Sequence, residues 1–351
     1  MRFIHIADVH LGANPDAGGS YSERRGREIW NSLERMMKIC NEEKADILLI
    51  AGDLFHRQPL LRELKEVSYL FGTLEHTQVV LIAGNHDYLK RESYYRNFEW
   101  PEHVHMILGG EISCVEIPEL SLAVYGLSYH AREMRDSRYN HAVPKKRQRY
   151  EILLAHGGDE KHIPLNLGKM AALGYDYVAL GHIHKPWCEE GKNIAYAGAL
   201  EPIDKNDTGE HGYILGEITE DGCRLRFIPC AVRKYVHLSV SVEKTMTGHA
   251  LKERVREEIE KQGIQNIYKV VIEGMRDPDI LFDMADMDTY GNIIDLTDET
   301  KPAYDFKKLL MKNRNDLLGR YIESLADYDE DSIEYLALCE GVQALMETRR
   351  G

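Results

Sequence analysis

Five short apolar runs recur along the first part of the chain, and each ends in polar side chains. The runs are rich in Val, Ile, Leu and Ala and do not alternate, which is the pattern of strands buried on both faces of a parallel sheet. In an open α/β sheet, binding sites form where such strands stop, at their carboxyl ends. The five segments read FIHIADVH, DILLIAGD, VVLIAGNHD, YEILLAHGG and YVALGHIH.

The other apolar positions complete a fold of the α/β class. Residues at helical spacing predict helices over 22–43 and 60–74. Strands are predicted at 3–7, 47–51, 79–83, 122–127, 152–155 and 177–180, with a closing antiparallel set at 194–197, 213–218 and 224–230.

The pattern changes near residue 235, which predicts a domain boundary. Beyond it, a small strand–helix–strand unit is followed by an almost purely acidic connector over residues 277–305. We therefore predict a catalytic domain, a small α/β capping domain that includes the acidic connector, and a helical tail, over residues 1–235, 236–300 and 301–351.

Two short amphipathic helices are predicted after Tyr304, with little sign of a core of their own. Isolated helices of this length are marginal in water and gain stability by laying an apolar face in a groove. The alternative is that they pack on the catalytic domain of the same chain. The predicted docking face for a partner consists of Leu309, Leu310, Leu317, Leu318 and Ile322.

Composition adds constraints on the cell compartment and the partner. The six cysteines are scattered and form no CxxC pair, which argues against a disulfide framework or zinc ribbon and favours reduced thiols in a cytoplasm. Neither a signal peptide nor a membrane span is expected. The net charge of −14 divides into −5 for residues 1–235, with 29 Lys and Arg against 34 Asp and Glu, and −9 for the remainder. Local patches must therefore decide whether the chain binds nucleic acid.

The most basic segment is the loop over residues 132–149, which carries seven Lys and Arg against Glu133 and Asp136. A loop of this length between strands is usually functional or mobile. We interpret it as an arm that contacts phosphates, with a solvated surface loop as the alternative.

The polar strand ends together supply a mixed set of oxygen and imidazole ligands. The set has too many members for one tetrahedral zinc and too many nitrogens for magnesium or calcium. Mixed ligation of this kind suits manganese, iron or zinc, and seven ligands suit two ions that share one carboxylate. Asp53 is the predicted bridge because its strand falls centrally in the order. The seven residues are Asp8, His10, Asp53, Asn85, His156, His182 and His184.

His86 lies beside the ligand Asn85 and is predicted to act differently. A histidine with a neighbouring carboxylate can be held in one tautomer and can deliver a proton to a leaving oxygen. We predict His86 as the general acid and Asp87 as the residue that fixes its tautomer.

The ordered series DxH, GD, GNHD, AHGG and GHxH resembles the calcineurin-like metallophosphoesterase superfamily, over roughly residues 1–235. The resemblance implies a β-sandwich flanked by helices. It also implies how the ligands are shared: one ion is held by Asp8, His10 and His184, the other by Asn85, His156 and His182, and both by Asp53.

The GDLFH and ADVHLG segments further resemble the SbcD-type nucleases of double-strand-break repair, and this makes His56 a second catalytic candidate. The resemblance implies a DNA nuclease with two divalent ions, manganese favoured, acting as a 3′-to-5′ exonuclease and single-strand endonuclease. It implies DNA and an SbcC-like, SMC-type ATPase as partners, the latter bound by the C-terminal helices, and leaves a homodimer open. Two alternatives remain: a phosphodiesterase or phosphatase for small nucleotides or phosphoproteins, and a non-catalytic scaffold.

Overall fold

The structure is a computed structural model that describes residues 1–19, 21–189, 191–325, 329 and 332–348. It divides into two compact units, Met1–Tyr235 and Val236–Gly351. The further division of the second unit at residue 300 stays a prediction. No helix among the described residues is both long and apolar enough to cross a membrane.

Strands and helices alternate through most of the first unit. In chain order its elements are β1 (Arg2–Ile6), α1 (Ser22–Glu42), β2 (Ile47–Ala51), α2 (Leu61–Phe71), β3 (Gln78–Ile82), β4 (Val104–Ile107), β5 (Ser113–Ile117), β6 (Leu122–Gly126), β7 (Tyr150–His156), α3 (Leu167–Ala171), β8 (Tyr177–Gly181), β9 (Trp187–Cys188), β10 (Ile194–Tyr196), β11 (Gly212–Thr219) and β12 (Gly222–Pro229).

Two six-stranded sheets form the sandwich of this unit. The first has the order β12-β11-β1-β2-β3-β4 and the second the order β5-β6-β7-β8-β10-β9. Strands β1 to β4 run parallel, as do β6, β7, β8 and β10, while β11 pairs antiparallel with β1. The α/β class is confirmed. The strand order groups the carboxyl ends of β1, β2 and β3 in one sheet and of β7 and β8 in the other, and the packing of the two sheets brings these ends to one region.

The core explains why the strand sequences do not alternate. Along β2, Leu48 and Ile50 pack in a cluster with residues of α1 and α2, whereas Ile47 and Leu49 pack in the cluster between the two sheets. Both faces of the strand are therefore dry, and an apolar residue is needed at every position. Strands β4 and β5 were not predicted, because β4 has only four residues and β5 carries partly exposed polar positions.

The described part of the second unit has a sheet of its own and four helices. Its elements are β13 (Tyr235–Val242), α4 (Gly248–Gln262), β14 (Ile267–Arg276), β15 (Ile293–Asp298), β16 (Lys301–Pro302), α5 (Phe306–Lys312), α6 (Leu317–Leu325) and α7 (Ile333–Glu347). The acidic segment is therefore more than a connector. It contains β15, which pairs parallel with β14. Asp295 and Asp298 lie among apolar residues of this strand, and Leu296 packs against the helix–sheet core.

Two predictions about the helical tail were wrong. Three helices form where two were predicted, and they have a small core of their own. That core buries Leu318, Ile322, Leu338 and Val342, with Leu309 and Leu310 packed against it. Leu318 and Ile322 are 2% and 0% exposed, so they cannot belong to a free docking face. Of the predicted face, Leu317 is the exposed member, at 67%.

Candidate dinuclear metal centre

Four of the predicted ligands sit in a backbone conformation that L-residues rarely adopt. Asp8, His10 and Asp53 have φ of 50°, 54° and 50°, and His182 has φ of 95°. Non-glycine residues in this region cost free energy and persist where the surrounding structure holds them, most often at functional sites. The strand-end turns thus aim these side chains at a common point.

The first group of ligands lies at the ends of β1 and β8. Nε2 of His10 and Nε2 of His184 are 3.1 Å apart. The carboxylate of Asp8 lies with them, its oxygen within 4.8 Å of both rings, and accepts the backbone N–H of His182 at 2.9 Å. Since Nδ1 of His184 donates to Asp207 at 3.0 Å, the lone pair of this ring remains on the facing Nε2.

The second group surrounds the side-chain oxygen of Asn85. Nε2 of His156 lies 2.9 Å and Nδ1 of His182 3.1 Å from that atom. The opposite ring nitrogens are held by acceptors, since His156 donates to the Ala51 carbonyl at 2.8 Å and His182 to Asp159 at 2.7 Å. The two ring nitrogens and the Asn85 oxygen therefore point lone pairs at one another, and a cation bound between them would remove their repulsion.

Asp53 lies between the two groups. Its Oδ2 is 3.4 Å from Nε2 of His156 and 4.0 Å from Nε2 of His10. Its Oδ1 accepts the backbone N–H of His86 at 2.8 Å. Gly84 packs directly against this carboxylate, where any Cβ would overlap it, so the glycine before the NHD turn is required by close approach.

A family model described as calcineurin-like phosphoesterase matches residues 1–186, slightly more than half of the chain. The chain belongs to this family. The metallophosphoesterase is 28% identical over 301 residues to the uncharacterized metallophosphoesterase YhaO of Bacillus subtilis, covering 78% of this chain and 72% of the relative.

Two further relatives have names that state a function. The metallophosphoesterase is 28% identical over 265 residues to the DNA double-strand break repair protein Mre11 of Methanocaldococcus jannaschii, covering 70% of this chain and 71% of the relative. It is 24% identical over 379 aligned positions to the protein of the same name from Saccharolobus solfataricus, covering 95% and 91%.

The family binds a dinuclear metal centre, and the donor set fits one. Burial raises the pKa of Asp8 to about 6, and burial lowers the pKa of His10 well below its usual value. Burial alone would raise the pKa of Asp53, but positive charge on the neighbouring histidines, His156 above all, outweighs it and lowers that pKa. Buried ionisable groups with strongly shifted pKa values cluster at functional sites, and this cluster is one. Asp8, His10 and His184 would hold one ion, Asn85, His156 and His182 the other, and Asp53 both.

The proton positions of His86 and His56 follow from their partners. Nδ1 of His86 lies 3.0 Å from the His56 carbonyl, which can only accept, so His86 carries its proton on Nδ1. Nδ1 of His10 lies 3.3 Å from Nδ1 of His56. If Nε2 of His10 faces an ion, His10 donates here, and His56 keeps its proton on Nε2.

The structure corrects the role predicted for Asp87. Its buried carboxylate accepts the backbone N–H of Gly84 at 2.8 Å and of Phe55 at 3.2 Å, and the hydroxyl of Tyr95 at 2.9 Å. It therefore organises the turn, while the His56 carbonyl fixes the tautomer of His86. Adjacent residues on a tight turn point apart, which is why proximity in sequence misled.

Sequence reasoning missed the carboxylates of Asp159 and Asp207. Asp159 follows the HGG turn directly, so a signal for it was present beside a predicted ligand. Asp207 lies in a loop with no strand-end motif, and it reaches His184 across 23 residues of chain. The sequence around Asp207 contains no pattern that predicts its contact with His184.

An open groove of about 670 Å³ lies beside the ligands. His56, His86 and Asn85 line it together with three cationic residues, Arg57, Lys90 and Arg132. Arg57 pairs with Glu63 at 2.7 Å. Lys90 and Arg132 are exposed and form no ion pair with a carboxylate in the described part of the chain.

Arg132 belongs to the basic loop over residues 132–149, but the other arginines of this loop are placed differently from the cations of the groove. Its Arg135 pairs with Glu133 at 2.8 Å, and three further arginines pair with carboxylates of other segments. These pairs are Arg138 with Glu111, Arg147 with Glu116, and Arg149 with Glu220. Phosphate contacts of these four arginines would have to compete with these carboxylates.

Proposed function

We propose that this chain is a metal-dependent DNA nuclease that hydrolyses phosphodiester bonds in double-strand-break repair. The single observation that carries the proposal is the open groove in which Lys90 and Arg132 stand beside His56, His86 and the ligand Asn85. Cations beside a phosphoester site suit a polyanionic strand that extends past the reacting phosphate. The two Mre11 relatives support the same reading, as do the GDLFH and ADVHLG segments.

The residues around the groove have separable roles. When bound, the two ions supply the nucleophile and neutralise charge at phosphorus. His86, with its proton fixed on Nδ1, offers Nε2 to take and hand over the proton that the leaving oxygen needs. His56 presents an Nε2–H donor to a phosphate oxygen. Mixed imidazole, carboxylate and amide ligation suits manganese, iron or zinc, and manganese is the proposed ion because of the resemblance to SbcD-type nucleases.

A direct comparison of substrates tests the proposal. We expect the purified chain with Mn²⁺ to hydrolyse a labelled DNA duplex from its 3′ ends and to cut single strands internally. The same preparation should act weakly on a phosphomonoester and on a cyclic nucleotide. A preference for either small substrate over DNA would contradict the nuclease and favour a small-molecule phosphoesterase.

We further propose that the helical tail binds an SMC-type ATPase, through an exposed face that replaces the one predicted from sequence. In α5, α6 and α7 the exposed apolar residues are Met311, Leu317, Ile333 and Leu336. Their exposure on helices that already have a core supports a partner surface. A homodimer and a cytoplasmic location belong to the same proposal, the latter supported by six free cysteines.

Adjacent leucines provide a matched test of the tail. Leu318→Ala removes a buried side chain and should cost about 2–5 kcal/mol of the tail's stability. Leu317→Asp, at a position that is 67% exposed, should leave the melting temperature unchanged but abolish co-purification with the ATPase. If Leu317→Asp unfolds the tail, or still binds the ATPase, the partner surface lies elsewhere.

A further inference from the structure

The two histidines of the GHIH segment are held from outside by different carboxylates. Nε2 of His182 lies 2.7 Å from Oδ2 of Asp159, and Nδ1 of His184 lies 3.0 Å from Oδ2 of Asp207. In each ring the nitrogen that faces the carboxylate is opposite the one that faces the other ligands. Since a carboxylate accepts and the ring must donate, each contact fixes one tautomer.

We propose that Asp159 and Asp207 are positioning residues, one for each ion of the centre, and that Asp207 contributes more to affinity than Asp159. This inference rests on the dinuclear centre used by the proposed function and does not depend on DNA as the substrate. A carboxylate behind a ligating histidine orients the ring and raises its basicity, and its loss typically costs about 10–100-fold in metal affinity.

The two carboxylates differ in how firmly they are held. The side chain of Asp207 is 13% exposed, and its Oδ2 also accepts the backbone N–H groups of Ile203 and Asp204 at 3.0 and 3.1 Å. It is fixed before any ion arrives. Replacing this charge leaves His184 without an equivalent partner, because little water can reach the position.

Asp159 is a looser support. Its side chain is 47% exposed, and it is shared between His182 and His162, whose Nδ1 lies 2.8 Å from Oδ2. Water can replace part of the contact when the carboxylate is changed. We therefore place the effect of Asp159 near 10-fold and that of Asp207 near 100-fold, at the two ends of the usual range.

The test measures Mn²⁺ binding to the full chain by calorimetric titration, without substrate. The wild type should bind two ions. Asp207→Asn and Asp159→Asn should each weaken one ion, with the melting temperature of the metal-free protein unchanged. Asp204→Asn and Glu160→Gln, which remove the same charge from neighbouring positions, should bind as the wild type does.

Double variants identify which ion each carboxylate serves. The effect of Asp207→Asn should vanish in a His184→Ala background and persist in a His182→Ala background, and Asp159→Asn should behave in the reverse way. Unchanged affinities, or equal weakening of both ions together with a lower melting temperature, would overturn the inference. If the wild type binds two ions and cuts DNA while these variants bind normally, the inference fails and the nuclease stands. If the wild type binds no ions, both the inference and the proposed nuclease are wrong.

Discussion

The groove beside His56, which includes Arg132, and the rest of the basic loop over residues 133–149 both carry basic residues, yet their charges are placed differently. In the groove, Lys90 and Arg132 are exposed and line the same space as Asn85, a candidate ligand. In the loop, Arg147 and Arg149 bond carboxylates that lie 31 and 71 residues away. A run of basic residues therefore does not by itself mark a phosphate-binding surface, because carboxylates from distant segments can already neutralise it.

We expect the largest loss of activity from a substitution at the strand ends, and none from substitutions of Arg147 and Arg149 in the basic loop. Asp53→Ala should reduce hydrolysis to background with the fold intact, since Asp53 is the carboxylate that lies between the two groups of ligands. Activity, metal content by elemental analysis and circular dichroism would be measured together. Arg147→Ala with Arg149→Ala is the control and should keep normal turnover. An Asp53→Ala protein with two ions and normal rate would contradict the dinuclear centre.

The second largest loss of activity is expected from replacing His86, which lines the groove. His86→Ala should slow DNA hydrolysis by about 10²–10⁴-fold, the usual range for general acid–base catalysis, with metal content nearly unchanged. The loss should be smaller for a nitrophenyl phosphodiester, whose leaving group needs little protonation. Equal losses for both substrates would instead mean that His86 positions the phosphate.

The smallest expected effect is on DNA binding, measured for substitutions in each of the two basic regions. Lys90→Ala with Arg132→Ala should weaken DNA binding and reduce the slope of log affinity against log salt by about 0.9 for each phosphate contact removed. Arg147→Ala with Arg149→Ala should leave the slope unchanged, because those arginines already have carboxylate partners. Binding would be titrated at several salt concentrations. If the loop pair changes the slope and the groove pair does not, the roles of the two regions are reversed.

Sequence alone determined where the buried strands end and which polar residue types follow them. A strand buried on both faces needs an apolar residue at every position, so β1, β2, β3, β7 and β8 are visible as uninterrupted runs, and the polar residues that follow them stand out. Neighbouring parallel strands share an edge of their sheet, which is why Asp8 and Asp53 could be expected together before any coordinates, whereas His156 lies on the second sheet and meets them through the packing of the two sheets.

Only the tertiary structure decided what holds those side chains and which charges stay available. The amide of His182 meets Asp8 across 174 residues, His156 meets the Ala51 carbonyl across 105, and Arg149 meets Glu220 across 71. Hydrogen bonds of this kind depend on the distance and angle between atoms of separate elements, which no local pattern encodes. For the same reason the sequence could suggest that the tail helices have an apolar face, but only their packing could show that Leu318 is inside and Leu317 outside.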